Sequence, residues 1–89
     1  MEIIEVAELQ NEVLSASKIV GLRQVVKHLE KLGHHLGCVV VASDAEQRIK
    51  SRVLELCSKH NVECKEFPSK KMMGLIAGIK VDCAVLGLE

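Results

Sequence analysis

The sequence predicts a compact three-layer α/β/α sandwich, with helices on both faces of a mixed or largely parallel sheet of four strands. Apolar runs of strand length alternate along the chain with segments whose apolar residues recur every three or four positions. The connections between these segments are short, as expected when helices pack back onto a sheet. With 89 residues the chain suits one domain, so residues 1–89 are predicted to fold as a single unit.

The composition favours an aliphatic core and argues against several classes of function. The chain contains one Phe and neither Trp nor Tyr, so bases are not expected to stack on aromatic side chains. Its longest strongly apolar run, Leu36–Ala42, is far shorter than the roughly 20 residues that cross a membrane. The four cysteines form no C-x-x-C pair and are expected to be free thiols. We therefore expect a soluble cytoplasmic protein without a membrane partner.

The net charge of zero conceals an asymmetry between the two parts of the chain. Residues 1–17 hold four Glu and no Lys or Arg, a formal charge of −4, which leaves +4 for residues 18–89. Ile3, Val6 and Leu9 recur at helical spacing, so the first segment is predicted to be an acidic helical arm. A basic body attracts phosphate, although +4 also describes many ordinary domains.

The second helix is predicted to start after a glycine. A short strand at residues 18–20 leads into Gly21, which permits a sharp entry into the helix. Apolar residues from Leu22 to Leu32 then recur at helical spacing, and Gly33 is expected to end the helix.

A buried strand and a third helix come next. The run Cys38–Ala42 is continuous, apolar and rich in β-branched residues, which indicates a strand buried on both faces. Two overlapping capping boxes follow, Ser43 with Glu46 and Asp44 with Gln47, and they predict the start of a helix.

The last part of the chain predicts strand, helix and strand. Asn61 suits the left-handed conformation that closes the third helix, and residues 62–67 alternate as a strand does. Ser69 is expected to cap a fourth helix that Gly78 closes. Residues 81–88 are predicted to form the final strand.

Lys70 and Lys71 occupy the first turn of the fourth helix, where cations oppose the helix dipole by roughly 0.3–1 kcal/mol each. This arrangement has two interpretations. An anionic group nearby would offset the unfavourable charge, or two exposed lysines are simply tolerated because the penalty is small.

One face of the second helix collects hydrogen-bond donors. These residues follow three- and four-residue steps: Arg23, Gln24, Lys27, His28, Lys31 and His35. They begin at a helix amino end, where free backbone N–H groups favour phosphate. The alternative is a solvated face of an ordinary amphipathic helix.

A metal or redox function would depend on Cys57, His60 and Cys64, which form a C-x2-H-x3-C spacing. Against a metal site, both cysteines fall on apolar faces and no fourth ligand lies close in sequence. Buried structural thiols are the competing interpretation. The chain has no Walker A, GxGxxG or HExxH motif. No enzyme activity, cofactor or small-molecule substrate is expected.

Three sequence blocks together resemble a known family. The blocks are VGLRQVVK at 20–27, VVVASDAE at 39–46 and PSKKMMGLIAGIKV at 68–81. In order and spacing they are similar to the ribosomal kink-turn-binding proteins of the L7Ae and L30e type and their bacterial relatives, over residues 18–88. The resemblance implies a three-layer α/β/α fold, a non-catalytic protein, and a structured, kinked RNA as partner, with ribosomal or other ribonucleoprotein components as further partners.

The family pattern after the glycine, in its bacterial form, is G-x-K-Q-x-x-K. Gly21, Gln24 and Lys27 match this pattern, while Arg23 replaces the lysine. The resemblance implies that this helix docks on guanines of sheared G·A pairs. Arg23 and Lys27 would donate to guanine acceptors, Gln24 would accept from guanine N–H groups, and Gly21 would let the backbone approach closely.

Two further segments receive roles from the resemblance. Glu46 would read an extruded or paired base, with Lys50 beside it, and Ile79 and Val81 would pack on an unstacked base. Asp82 stands where relatives usually have a small residue or proline. The predicted RNA-binding residues are Gly21, Leu22, Arg23, Gln24, Lys27, Lys31, Glu46, Lys50, Ile79, Lys80 and Val81.

A second hypothesis keeps the fold but not the RNA. The neutral net charge, the acidic arm and Asp82 also suit a protein-interaction module that has lost RNA binding.

Overall fold

The computed structural model describes residues 2–15, 17–31 and 36–89. Leu32, Gly33, His34 and His35 lie outside the described residues, and so does the predicted end of the second helix. The described strands are β1 (Glu2–Ile3), β2 (Lys18–Val20), β3 (Cys38–Ala42), β4 (Glu63–Phe67) and β5 (Val85–Leu88). The described helices are α1 (Val6–Ser15), α2 (Leu22–Lys31), α3 (Gln47–His60) and α4 (Lys70–Ala77).

The described strands form one mixed sheet in the order β1-β4-β3-β5-β2. β4 is parallel to both β1 and β3, whereas β5 is antiparallel to β3 and to β2. The α/β class and the mixed sheet are thus confirmed.

The expected number of strands was wrong, because the described sheet has five and not four. The additional strand, β1, comes from the arm that the sequence predicted to be helical throughout. It pairs with Lys65 and Glu66 of β4, and the backbone N–H of Ile4 continues the pairing by donating to Glu66 at 2.8 Å. Extended backbone here satisfies the open edge of β4 and carries Ile4 into the core, where it is fully buried.

The sheet separates two apolar layers. α1 and α4 cover one face, where Ile4, Leu9, Phe67 and Met73 are buried. α2 and α3 cover the other face. β3 contributes alternate side chains to both layers, and all five of its residues are buried, as its apolar run predicted.

Several predicted helix ends are confirmed. The side chain of Ser69 accepts a hydrogen bond from the Met72 N–H at 3.1 Å, and Gly78 closes α4 with a φ of 78°. Asn61 closes α3 with a φ of 56°.

The capping boxes predicted for α3 were wrong. Glu46 is the residue at the N-cap, and it makes no side-chain cap hydrogen bond. Asp44 instead accepts from the backbone N–H of Lys70 at 2.9 Å, at the start of α4. A cap pattern in the sequence cannot show which helix end lies nearest in space.

The final strand begins at Val85 and not at Val81. Residues 79–84 form a connection that runs back along α4, and the Cys83 N–H donates to the Lys70 carbonyl at 2.9 Å. Contacts with α4 therefore hold most of this segment, and pairing with β3 starts only at Ala84, whose carbonyl accepts from the Ala42 N–H.

Candidate functional site

Three segments meet at one end of the sheet. β2 and β3 end there and β5 begins there, and two backbone hydrogen bonds join them: Gly21 N–H to the Val85 carbonyl at 2.9 Å, and Ala42 N–H to the Ala84 carbonyl at 2.8 Å. We call this region the loop end; it comprises residues 21–24, 43–46 and 79–84. The sequence blocks that carry the family resemblance are therefore neighbours in space.

The first segment presents the open amino end of α2. Gly21 has a φ of 92°, a left-handed value that suits glycine. α2 begins at the next residue, and its first turn contains no acidic side chain. Because the first backbone N–H groups of a helix lack intrahelical acceptors, this end favours an anion such as phosphate.

Three predicted side chains share the outer surface of α2. Arg23, Gln24 and Lys27 are exposed, whereas Val25 is buried and anchors the helix to the sheet. Lys27 borders two shallow depressions, one that it lines with Arg23 and one that it lines with Gln24. The structure thus brings the three donors of the predicted pattern onto one accessible patch, with half-buried Leu22 behind them.

The remaining residues of the predicted donor face are His28, Lys31 and His35. His28 is buried at 7% exposure, so its assignment to an exposed face was wrong. It lies next to Leu29 at the margin of the apolar stripe, where the helical turn rotates it toward the protein. The side chain of Lys31 and the whole of His35 lie outside the described part of the chain.

The second segment carries Glu46 and is supported by Lys50. The Glu46 carboxylate lies 3.4 Å from Arg48 Nη2, but both side chains are well exposed, so this ion pair leaves Glu46 accessible to another donor. The Lys50 ammonium donates to the Ser43 carbonyl at 3.1 Å and lies 3.6 Å from a Glu66 carboxylate oxygen. Lys50 therefore supports the 43–46 segment from within.

The third segment exposes one apolar side chain. Val81 is 71% exposed, whereas Ile79 is half-buried against the core below it. Lys80 and Asp82 are also exposed, so a cation and an anion flank Val81. Of the two apolar residues predicted to pack on a base, Val81 is the accessible one.

The anion expected near Lys70 and Lys71 is Asp44. Its carboxylate oxygen accepts from the Lys70 N–H, which places a negative charge at the positive end of α4. Sequence reasoning missed this role because Asp44 and Lys70 lie 26 positions apart. The available indication was the pair of lysines, for which a nearby anion was one of the two interpretations.

The acidic arm does not cover the donors of α2. It packs on the α4 side of the sheet, where Lys65 Nζ lies 3.7 Å from carboxylate oxygens of Glu2, Glu8 and Glu63. Burial acts to lower the pKa of Lys65, but the surrounding carboxylates together raise it. Lys65 is 13% exposed, so this cluster fastens the arm to β4.

All four cysteines are free thiols: Cys38, Cys57 and Cys83 are buried, and Cys64 is half-buried. A hydrogen bond between the Cys57 and Cys64 thiols lowers the pKa of Cys57 and raises that of Cys64. Burial raises the pKa of Cys38 to about 11 and also raises that of Cys83. Within residues 2–15, 17–31 and 36–89, no group of three or more His, Cys, Asp or Glu side chains is placed to hold a metal ion. Cys57, His60 and Cys64 therefore do not form such a group. Across the same residues, every helix is too short or too polar to span a bilayer.

Comparisons with known proteins agree with this geometry. A sequence model of the family described as "Ribosomal protein L7Ae/L30e/S12e/Gadd45 family" matches residues 5–89. A relative from Staphylococcus aureus strain JH9, named as an RNA-binding protein, is 30% identical over 70 residues, which cover 79% of this chain and 81% of the relative.

Two solved structures share the fold. A Bacillus halodurans protein of unknown function aligns with a TM-score of 0.75 and 24% identity, over 90% of this chain and 78% of its own. The 15.5 kD RNA binding protein of Giardia lamblia aligns with a TM-score of 0.73 and 20% identity, over 90% of this chain and 66% of its own.

Proposed function

This chain belongs to the ribosomal protein L7Ae/L30e/S12e/Gadd45 family, and we propose that it is a non-catalytic RNA-binding protein that recognises a kink-turn or a similar internal loop with sheared G·A pairs. The observation that carries the proposal is the shared exposure of Arg23, Gln24 and Lys27 at the open amino end of α2.

The chemistry of these side chains matches the edge of a sheared guanine. Such a guanine leaves O6 and N7 free as acceptors and keeps its N–H groups as donors. Arg23 and Lys27 donate to the acceptors, and the Gln24 carbonyl accepts from the donors. The free N–H groups of the first turn of α2 bind a neighbouring phosphate.

The other segments of the loop end extend the contact. Glu46 accepts from a base amino group, and Val81 packs on an unstacked base. Asp82, exposed beside Val81, repels phosphate and so narrows the range of RNAs that fit this segment.

The names of two similar proteins support RNA as the ligand, because the Staphylococcus aureus relative and the Giardia lamblia protein are both described as RNA-binding. The family description supports a ribosomal or other ribonucleoprotein setting. A cytoplasmic location, which the free thiols favour, belongs to the same proposal.

A gel-shift titration with two RNAs tests the proposal. The first is a kink-turn, and the second is the same RNA with its G·A pairs replaced by Watson–Crick pairs. We expect tighter binding to the intact kink-turn. Equal binding to both RNAs would overturn the proposed specificity for kink-turns, and binding to neither RNA would overturn the proposal that the protein binds RNA.

A matched pair of variants assigns the binding to α2. Gln24→Ala removes the amide at the loop end, and Gln10→Ala removes an exposed amide from α1 on the other side of the sheet. Gln24→Ala should reduce the preference for the intact kink-turn about tenfold, the scale of one lost base contact. Gln10→Ala should leave the preference unchanged, and an equal effect of both would contradict the assignment.

A protein-interaction module remains the second candidate, because a groove with both polar and apolar lining residues is open to solvent. The groove has a volume of about 470 Å³ and lies between α1 and α4, with Val13, Leu14, Leu75 and Ile76 among its lining residues. Leu14 is 85% exposed and Leu75 is 67% exposed. Failure of the titration to detect RNA binding would favour this candidate.

A further inference from the structure

We propose that Asp44 is a positioning residue for the RNA site: its carboxylate ties the segment that carries Glu46 to α4, and α4 in turn fixes the segment that carries Val81. The inference rests on the proposed function. We call the set of contacts that joins the two segments through Asp44 and Lys70 the Asp44 brace.

The first contact of the brace crosses from one segment of the loop end to α4. Asp44 Oδ1 accepts from the Lys70 N–H at 2.9 Å. The N-cap of α3, the helix that follows Asp44 in sequence, is Glu46, and the Asp44 carboxylate accepts instead at the start of α4. Its hydrogen bond therefore serves the spatial relation between the 43–46 segment and α4.

The second contact uses the backbone carbonyl of Lys70, whose N–H makes the first contact. The Lys70 carbonyl accepts from the Cys83 N–H at 2.9 Å. Lys70 thus joins both segments, one through its N–H and the other through its C=O. Two segments that lie far apart in sequence are therefore hydrogen-bonded to the same residue of α4.

A third contact seats the 79–84 segment on the helix. The Ile79 N–H donates to the Gly74 carbonyl at 3.0 Å. The backbone of Val81 passes so close to Gly74 that a Cβ atom there would collide with the Val81 carbonyl oxygen. This close packing fixes the position of the Val81 backbone, and with it the exposed Val81 side chain, relative to α4.

The capping of α4 does not by itself account for Asp44. Ser69 already caps this helix by accepting from the Met72 N–H at 3.1 Å. Asp44 adds a charge-assisted bond that also offsets the unfavourable position of Lys70 and Lys71. Its distinct effect is to set the separation of Glu46 and Val81, on which recognition of one RNA shape depends.

Three variants separate positioning from stability. Asp44→Ala removes the brace, Asp44→Asn keeps an oxygen that accepts from Lys70, and Ser69→Ala weakens the same helix end without touching the 43–46 segment. The measurement is the ratio of affinities for the kink-turn RNA and its Watson–Crick-paired control, at a temperature where circular dichroism shows every variant to be folded.

We expect Asp44→Ala to reduce this ratio about tenfold, as for the loss of one well-placed contact. Asp44→Asn should retain most of the ratio, and Ser69→Ala should retain the wild-type value. The proposal would be overturned by an unchanged ratio in Asp44→Ala, or by an equal reduction in Ser69→Ala.

Amide hydrogen exchange in the RNA-free protein separates failure of the brace from failure of the proposed function. Asp44→Ala should speed exchange at both Ala45 and Cys83, whereas Ser69→Ala should leave Ala45 at its wild-type rate. An unchanged rate at Ala45 in Asp44→Ala would show that no brace exists. If the wild-type chain has no preference between the RNAs, the proposed function fails, and the exchange rates still decide whether Asp44 ties the segments together.

Discussion

The two helical layers of this protein differ in formal charge. α2 and α3 together carry seven Lys or Arg and two Glu, a formal charge of +5. α1 carries two Glu and α4 two Lys, so their layer is neutral as a whole. The basic layer suits a phosphate-rich ligand, whereas the charges of the neutral layer cancel.

This difference explains how a chain of zero net charge can suit RNA. Two carboxylates of the arm, those of Glu2 and Glu8, lie beside Lys65 on the neutral side, and the Asp44 carboxylate lies at the start of α4. Arg23 and Lys27 stay exposed on the basic side. Charge placement, and not the net charge, distinguishes the two surfaces.

The largest expected effect concerns the neutral layer, where the arm is part of the core. Leu9→Ala should lower the free energy of unfolding by about 2–5 kcal/mol, because Leu9 is fully buried and its truncation leaves a cavity. Chemical denaturation measures the loss. Leu14→Ala, which alters an 85% exposed side chain of the same helix, is the control and should change stability little.

Deletion of the arm, followed by the same denaturation measurement, distinguishes two roles for it. If the arm were an electrostatic shield, its deletion would tighten RNA binding and leave stability unchanged. Burial of Ile4 and Leu9 predicts the opposite: deletion of residues 1–14 should destabilise the chain strongly. An unchanged unfolding midpoint would contradict the structural role.

The next effect concerns a close approach within the neutral layer. Gly74→Ala should lower the free energy of unfolding by about 1–3 kcal/mol, because the obstacle to its methyl group is the backbone of Val81 and not a flexible side chain. This is the net loss that remains after the gain in helix propensity, which favours alanine by about 1 kcal/mol.

Gly78→Ala is the comparison for that variant. Its obstacle is the left-handed φ of 78°, with no atom within 4 Å of the added Cβ. Both variants should be destabilised in denaturation, but only Gly74→Ala should also speed amide exchange at Cys83. Equal exchange at Cys83 in the two variants would contradict the close packing of the 79–84 segment on α4.

The sequence predicted those features that local chemistry decides. The apolar run of β3, the Ser69 cap and the left-handed Asn61 depend on residues within a few positions of one another. Arg23, Gln24 and Lys27 were predicted as an exposed set because their helical spacing and the apolar stripe behind them are both local.

The features that escaped prediction depend on distant partners. β1 is only two residues long, and it is strand because β4 offers an edge more than 60 positions away in the sequence. Asp44 fits two roles equally well until the position of α4 is known. His28 stands at the margin of an apolar stripe, where spacing alone does not decide between solvent and core.

A smaller effect separates specific from general binding in the basic layer. Arg23→Ala should weaken kink-turn binding about tenfold and reduce the preference for intact G·A pairs, because Arg23 stands at the amino end of α2.

Lys59→Ala is the matched control in the same layer. Lys59 lies at the far end of α3, and its ion pair with Glu30, at 3.8 Å, is largely exposed. Lys59→Ala should weaken the binding of both RNAs slightly and to the same extent. If Arg23→Ala also weakened binding of both RNAs equally and left the preference intact, the layer would bind by charge alone.

The smallest expected effect is a pH dependence that belongs to the neutral layer. Burial raises the pKa of the Cys38 thiol from 9.0 to about 11, because the folded state disfavours the thiolate. Between these values the unfolded chain releases a proton that the folded chain retains, so the stabilising contribution is complete below pH 9.0 and is lost as the pH rises toward about 11. Cys38→Ala should therefore flatten the decline of the unfolding free energy over this range, measured by denaturation at a series of pH values. A decline as steep in Cys38→Ala as in the wild type would assign the titration to another group, such as Cys83, whose pKa burial also raises.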